Sequence, residues 1–388
     1  MQLLGGLSAE EFLRDHWQKR PLLVRQALPD FGSPLSPDEL AGLACEDGIE
    51  SRIILERDGQ VPWQLENGPF EEQRFATLPQ THWTLLVQEV DQYVPALESV
   101  LEQFEFLPAW RIDDVMASYA PEYGSVGPHV DQYDVFLIQG LGHRRWQINT
   151  DPVEPHNFLP HTALRIMREF TPQSDWVLEP GDMLYLPPGV AHYGVALDDC
   201  MTFSVGFRAP SHADILVGFA EHVAAQLGDD LRYADPDLSA LEHAGEIDAR
   251  AAARVRTIIE RYLADEGRIN EWFGRYVTEP RSVEHQTRRA EAVSIEHLAQ
   301  RLAANSWVQR SPHSRYAYSL TADGGCTLFV DGSSWALSSE LCQVAALLAN
   351  QRGWHTQHLA AYLSVPGCVG LLSELYDLGA WRFADEDD

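Results

Sequence analysis

The chain is short of positive charge and of cysteine. Lys and Arg number 28 against 58 Asp and Glu, a formal charge of −30, and the sequence pI is near 4.7. A surface this acidic repels phosphate backbones and anionic headgroups, which argues against direct nucleic-acid or membrane binding and favours a basic partner. The same balance also serves solubility alone. The five cysteines (Cys45, Cys200, Cys326, Cys342, Cys368) are odd in number, scattered and never paired as CxxC. They suggest reduced thiols, not a disulfide framework or a zinc knuckle. No run approaches the ~18 uncharged apolar residues of a membrane helix. The start, MQLLGGLSAEEFLRDHW, has no basic segment leading into an apolar one, so no signal peptide is read there. The expectation is a soluble cytoplasmic protein. Also missing are a GxSxG elbow, a GxxxxGK[ST] phosphate loop, an HExxH helix, internal repeats and low-complexity tracts.

What is present is 388 residues, 45% of them hydrophobic and 10% aromatic, enough for roughly two to three domains. In residues 1–100 Ser8 is placed to cap a helix beginning AEEFLRDHW, with Glu11 completing a capping box and Phe12, Leu13 and Trp17 forming its apolar stripe. LLVRQAL and SRIILE read as short strands among turns. From about 110 to 210 the runs IDDVMASYA, YDVFLIQG, RRWQIN, SDWVLE, DMLYLPP, AHYGVAL and CMTFSVGF are separated by turn signals. Many short strands with little helix indicate a sandwich or barrel, here a double-stranded β-helix or jelly roll.

After residue 212 helical spacing takes over in ADILVGFAEHVAAQLG, DARAAARVRTIIERYLAD and INEWFGRYV. The second of these sets Ala252, Val255, Ile258, Ile259 and Tyr262 along one face. That face suits a homodimer contact, or a cover for the barrel. From about 295, a helix (IEHLAQRLAAN), two strand-like pieces (YAYSLTADGG, CTLFVDG), helices around SSELCQVAALLAN, TQHLAAYL and VGLLSELYDLG, and a final strand AWRFA suggest a winged-helix module. Its acidic finish, Asp377, Asp385, Glu386, Asp387 and Asp388, favours a protein contact over DNA. The expected division is a catalytic domain over 1–210 with an N-terminal elaboration, a helical dimerisation region over 211–294, and a winged-helix domain over 295–388.

GLGHRR, at Gly140 to Arg145, approaches a dinucleotide fingerprint but lacks the third glycine and opens no helix. The chemistry lies around it, in GPHVDQYDVFLIQGLGHRRWQI. His129 and Asp131 stand two apart, so on an extended chain both project from one face. A second HxD, His212 and Asp214, falls where a helix begins, and there Asp214 reads as an N-terminal helix residue. Downstream, EPGDMLYLPPGVAHYGVAL delivers His192 from a strand after the Pro188-Gly189 turn. On a jelly roll His129, Asp131 and His192 can converge as a two-histidine, one-carboxylate facial triad. Such a set leaves three positions of an octahedral Fe(II) open, two for a 2-oxo acid and one for dioxygen. A 2-oxo diacid needs its far carboxylate held, and Arg144, 15 residues after His129, offers a bidentate clamp. Alternation lets either Arg144 or Arg145 face inward, and spacing does not choose between them.

These motifs resemble the JmjC-type, cupin-like 2-oxoglutarate oxygenases, and within them the bacterial ribosomal oxygenases that hydroxylate an arginine of large-subunit ribosomal protein sixteen. The HVDQYDVF segment is the specific part of the match, whereas the tail agrees in layout only. The resemblance implies Fe(II) on His129, Asp131 and His192, 2-oxoglutarate with its distal carboxylate on Arg144, and a further cosubstrate contact from Ser118 on the ASYA strand. It also implies O2 as co-reactant, succinate and CO2 as coproducts, a basic ribosomal protein as substrate, and a homodimer. Still open at this point are another basic target by the same chemistry (histidine hydroxylation or N-methyl demethylation) and a catalytically silent cupin-like binding protein.

Overall fold

The computed structural model describes residues 1–386 apart from 30, 58, 161–162, 241–242 and 281–292, so Asp387 and Asp388 of the acidic finish lie outside the described residues. The chain forms two compact units, Met1–Ala209 and Pro210–Asp388.

In the first unit the helices are α1 (Ala9–Asp15), α2 (Pro37–Leu43), α3 (Glu72–Ala76) and α4 (Glu98–Glu102). The strands are β1 (Leu22–Val24), β2 (Ser51–Leu55), β3 (Gln64–Asn67), β4 (Trp83–Val87), β5 (Ile112–Ala120), β6 (His129–Val130), β7 (Val135–Leu141), β8 (Arg144–Asn149), β9 (Ser174–Leu178), β10 (Met183–Leu186), β11 (Ala191–Ala196) and β12 (Cys200–Phe207). They make an eight-stranded sheet in the order β1-β10-β7-β12-β5-β4-β2-β3, and a four-stranded sheet in the order β6-β11-β8-β9. This is the expected jelly roll.

The two apolar faces of the large sheet have different jobs. Phe136, Tyr185 and Phe207 look outward onto Phe12 of α1 and Phe104, in an aromatic cluster whose ring centroids lie 4.7–6.0 Å apart. Ser8 caps α1 with the expected capping box to Glu11. The alternate residues Val135, Leu137, Leu184 and Leu186 face inward and pack on Trp146, Ile148 and Leu178 of the small sheet. A strand such as Val135–Ile138 is buried on both sides, which is why it reads as a continuous apolar run instead of alternating.

The early region contributes more strand than its sequence shows. Gln64–Asn67 and Trp83–Val87, not anticipated above, extend the large sheet by antiparallel pairing. Gln64–Asn67 is a half-exposed edge strand with no apolar alternation to betray it.

The second unit contains α5 (His212–Ala224), α6 (Ala249–Leu263), α7 (Glu266–Thr278), α8 (Ile295–Ala303), α9 (Cys342–Asn350) and α10 (Cys368–Asp377). Its strands are β13 (Trp307–Arg310), β14 (Tyr316–Leu320), β15 (Cys326–Val330), β16 (Ser333–Leu337), β17 (Gly353–His355) and β18 (Trp381–Phe383), in two sheets ordered β14-β15-β16 and β17-β13-β18. α5 and α7 meet through Phe219 and Trp272, with ring centroids 5.6 Å apart. α7 packs on the β14–β16 sheet, where Gly274 admits the ring of Phe329. Trp354, Trp381, Tyr376 and Phe383 centre the winged-helix core.

Two expectations change here. TQHLAAYL forms only a 3-10 turn over Thr356–Leu359, because Thr356 is pinned to Ser306 by backbone and hydroxyl hydrogen bonds of 2.9 Å each and Pro366 follows. The acidic finish is partly spent inside the fold: Arg301 holds Asp385 at 2.5 Å and pairs with Glu386, which also accepts from the Tyr376 hydroxyl at 2.6 Å.

Candidate metal centre and cosubstrate site

Two ladders build the site. β11 pairs β6 with His192 directly opposite His129, and pairs β8 with Ile148 opposite His192, Trp146 opposite Gly194 and Arg144 opposite Ala196. Residues directly opposite share a face, so His129, His192, Trp146 and Arg144 all project into the space between the two sheets. Asp131 follows β6, and its backbone carbonyl accepts from Gly189 N at 2.8 Å. Gly189, at φ +85°, makes the Pro-Gly turn that L side chains resist, and so ties the carboxylate's loop to the strand that carries His192.

The three side chains come together. His192 Nε2 lies 3.5 Å and His129 Nε2 3.9 Å from Asp131 Oδ2, and the prospective donor atoms all fall within 4.8 Å of one another. Cis ligands ~2.1 Å from an octahedral ion stand about 3 Å apart, so a small inward movement completes the set. The tautomers also suit a metal. His129 Nδ1 meets Gly127 O at 2.9 Å and His192 Nδ1 meets Val190 O at 3.0 Å. A carbonyl only accepts, so each Nδ1 carries the proton and each Nε2 keeps its lone pair for an ion. Burial, and then the nearby His129, lower the pKa of His192 to about 4, so it stays neutral at physiological pH.

The structure decides between the two arginines. Arg144 is 3% exposed, and its Nε and Nη2 find no partner among the described residues. Arg145 points out and is clasped by Asp175. A buried guanidinium without an anion is costly, so the interior of this barrel is built to receive one.

Ser118 faces the same interior. It forms a row with Thr202 and Gln139 across β5, β12 and β7. Two residues further along β5, Ala120 packs against Ala196, the residue opposite Arg144. The Ser118 hydroxyl donates to Thr202 O at 3.3 Å, and Thr202 Oγ1 donates to Gln139 Oε1 at 3.1 Å. To serve a carboxylate as a donor, Ser118 has to give up that carbonyl.

Gln139, Thr202 and Trp146 were not singled out from the sequence. Gln139 carried a signal, a lone amide ending the apolar run VFLI; Thr202 and Trp146 are ordinary strand residues until the sheets are stacked. The second HxD does not assemble. Asp214 accepts from Ser211 N at 2.9 Å and from its hydroxyl at 2.7 Å, as the N-terminal helix residue expected. The GLGH segment, as expected, joins two strands, with Gly142 at φ +59°.

Comparison with known proteins agrees with this geometry. Residues 99–215 match the JmjC domain, and residues 261–382 match the ROXA-like winged helix. The chain is 40% identical over 276 residues to the ribosomal protein uL16 3-hydroxylase of Escherichia coli K12, covering 71% of this chain and 72% of that protein. It is also 40% identical over 237 residues to a probable ribosomal oxygenase of Haemophilus influenzae, covering 61% of this chain and 56% of that one. Among solved structures, YcfD, a ribosomal oxygenase from Escherichia coli, superposes with a TM-score of 0.84 at 32% identity over 98% of both chains. Its complex with cobalt and 2-oxoglutarate gives 0.85 at 32% identity, covering 98% of this chain and 99% of that one. With this barrel, this triad arrangement and this degree of identity, the chain belongs to the JmjC-type 2-oxoglutarate oxygenases, in their ribosomal-oxygenase branch.

Proposed function

We propose that this protein is an Fe(II)- and 2-oxoglutarate-dependent hydroxylase of an arginine side chain in a large-subunit ribosomal protein. The observation that carries the reading is the unpartnered Arg144 guanidinium inside the same barrel as the His129, Asp131 and His192 cluster. A diacid held at the ion by its keto-acid end would need a cation for its far carboxylate, and Arg144 would supply one from the same barrel.

In this reading His129 Nε2, the Asp131 carboxylate and His192 Nε2 would hold the ion. Arg144 takes the distal carboxylate through Nε and Nη2, with Ser118 as a further contact. When bound, the ferrous ion with 2-oxoglutarate and O2 supplies the oxidation that couples loss of CO2 and formation of succinate to hydroxylation of an unactivated C–H bond. The chain's own part is to fix both ends of the cosubstrate and to keep the interior dry.

The net charge of −30 favours capture of a basic ribosomal protein by long-range attraction. A ribosomal protein as the target follows the relatives named above, and arginine as the modified residue follows the resemblance carried by the HVDQYDVF segment. No described helix is long and apolar enough to cross a membrane, and we place the protein in the cytoplasm with its substrate.

We also read residues 211–294 as a dimerisation region. On α6 Val255, Ile258 and Ile259 are 47%, 38% and 53% exposed, an apolar face suited to a second copy of the chain. The test of function is succinate formation by the purified protein with Fe(II), 2-oxoglutarate and the ribosomal protein, and intact-mass analysis of that protein for one added oxygen. Tandem mass spectrometry then places the oxygen. Oxygen on histidine, or loss of a methyl group, replaces the arginine assignment. Sedimentation of Ile258→Glu beside the wild type tests the dimer.

A further inference from the structure

Between His192 and Arg144 stands a residue to which no role has so far been given. Trp146 is 4% exposed, its ring centroid lies 6.0 Å from that of His192, and the Arg144 guanidinium carbon lies 5.7 Å from its centroid. Its indole N–H is buried and has no acceptor among the described residues. Tyrosine hydroxyls and indole N–H groups in protein interiors usually find a partner, because an unpaired buried donor forfeits its hydration for nothing.

The orientation of that ring is set by a glycine. Gly194 lies directly opposite Trp146 on β11, two residues beyond His192. A Cβ at position 194 would meet Trp146 Cη2 and Cζ3 at 2.7 Å and Cε3 at 2.9 Å, closer than real side chains approach. The face of the indole's six-membered ring therefore lies against the bare backbone of the strand that carries His192. The nitrogen belongs to the five-membered ring and is not among the ring atoms seated closest to Gly194. Trp146 and its glycine seat occupy the stretch of barrel wall between the triad and the buried cation, and two unpartnered donors, Arg144 and Trp146, stand two residues apart on one face.

We infer that Trp146, seated on Gly194, is a positioning residue for the distal half of 2-oxoglutarate: its indole N–H donates to the cosubstrate, and its ring backs the Arg144 guanidinium. This rests on the function proposed above. Phenylalanine removes the donor and shortens the aromatic wall, keeping one ring at its base. Alanine at 194 keeps the donor and displaces the ring.

The experiment is calorimetric titration of the full chain loaded with Mn(II), using two probes. 2-Oxoglutarate spans the whole site; oxalate occupies only the metal end. Trp146→Phe is expected to weaken 2-oxoglutarate about 10-fold, the worth of one hydrogen bond to a charged group, with oxalate and Mn(II) affinities within about two-fold of wild type. Gly194→Ala is expected to give the same split, and stands in if Trp146→Phe does not fold. Unchanged 2-oxoglutarate affinity in the folded variants, or equal weakening of both probes, overturns the inference and leaves Trp146 as wall. A wild-type protein that binds oxalate but not 2-oxoglutarate overturns the underlying reading of the site instead, and the inference falls with it.

Discussion

Arg144 and Arg145 are neighbours in sequence and lie in opposite surroundings. The first sits inside the barrel with two guanidinium nitrogens unpartnered, and the second lies outside, paired to Asp175. The pleat of one strand turns adjacent residues to opposite faces, and the fold then treats the two charges differently. Outside, the cation is solvated and matched. Inside, it awaits an anion.

The two arginines should therefore separate cleanly under substitution. Arg144→Gln is expected to weaken 2-oxoglutarate binding about 100-fold, because it removes one partner of a buried charge pair. Arg145→Gln is expected to leave that affinity unchanged and to cost at most ~1 kcal/mol of stability, since its pair is half-exposed. Titration of 2-oxoglutarate and denaturant midpoints on both variants check this.

Removal of any triad member should abolish succinate formation while leaving the fold in place. His129→Ala and Asp131→Ala are the clearer tests, because both side chains are about a quarter exposed whereas that of His192 is buried. Metal content by mass spectrometry should fall with activity, and circular dichroism should match wild type.

His192 predicts a pH dependence of stability in the metal-free protein. Its folded pKa of about 4 lies below the ordinary 6.5. Between these values the unfolded chain carries a proton at this site that the folded chain refuses. The stabilising contribution is therefore complete above pH 6.5, declines as pH falls, and is gone below about pH 4. The shift corresponds to about 3 kcal/mol. The difference in denaturant midpoints between pH 7 and pH 4.5 should be larger for wild type than for His192→Gln; equal differences would contradict the burial argument.

The second HxD offers a control. Ser211→Ala should cost about 1 kcal/mol through loss of the α5 cap. Neither it nor His212→Ala should change metal content.

The chemistry of this protein is largely local in the sequence, and so is legible there. HVD and the later His192 stand in strand-and-turn contexts that can bring two imidazoles and a carboxylate together. The capping box at Ser8 and Glu11 announces α1, and the Ser211–Asp214 cap explains the extra HxD. These depend on short-range rules of period, cap and turn that act within a few residues.

Other features were beyond that range. Gln64–Asn67 has no apolar pattern and becomes a strand only because the edge of β2 is there to pair with. TQHLAAYL has helical spacing, yet distant Ser306 holds it in a single 3-10 turn. By its residues alone the sequence determined which groups could hold a metal, the two arginines that could hold a diacid, and the barrel that would contain them. The tertiary structure alone decided that Arg144 faces inward, that Ser118, Thr202 and Gln139 form one interior row, and that Trp146 rests on Gly194. Which face of a strand is the inside depends on the second sheet laid against it, and that is a contact between residues far apart in the chain.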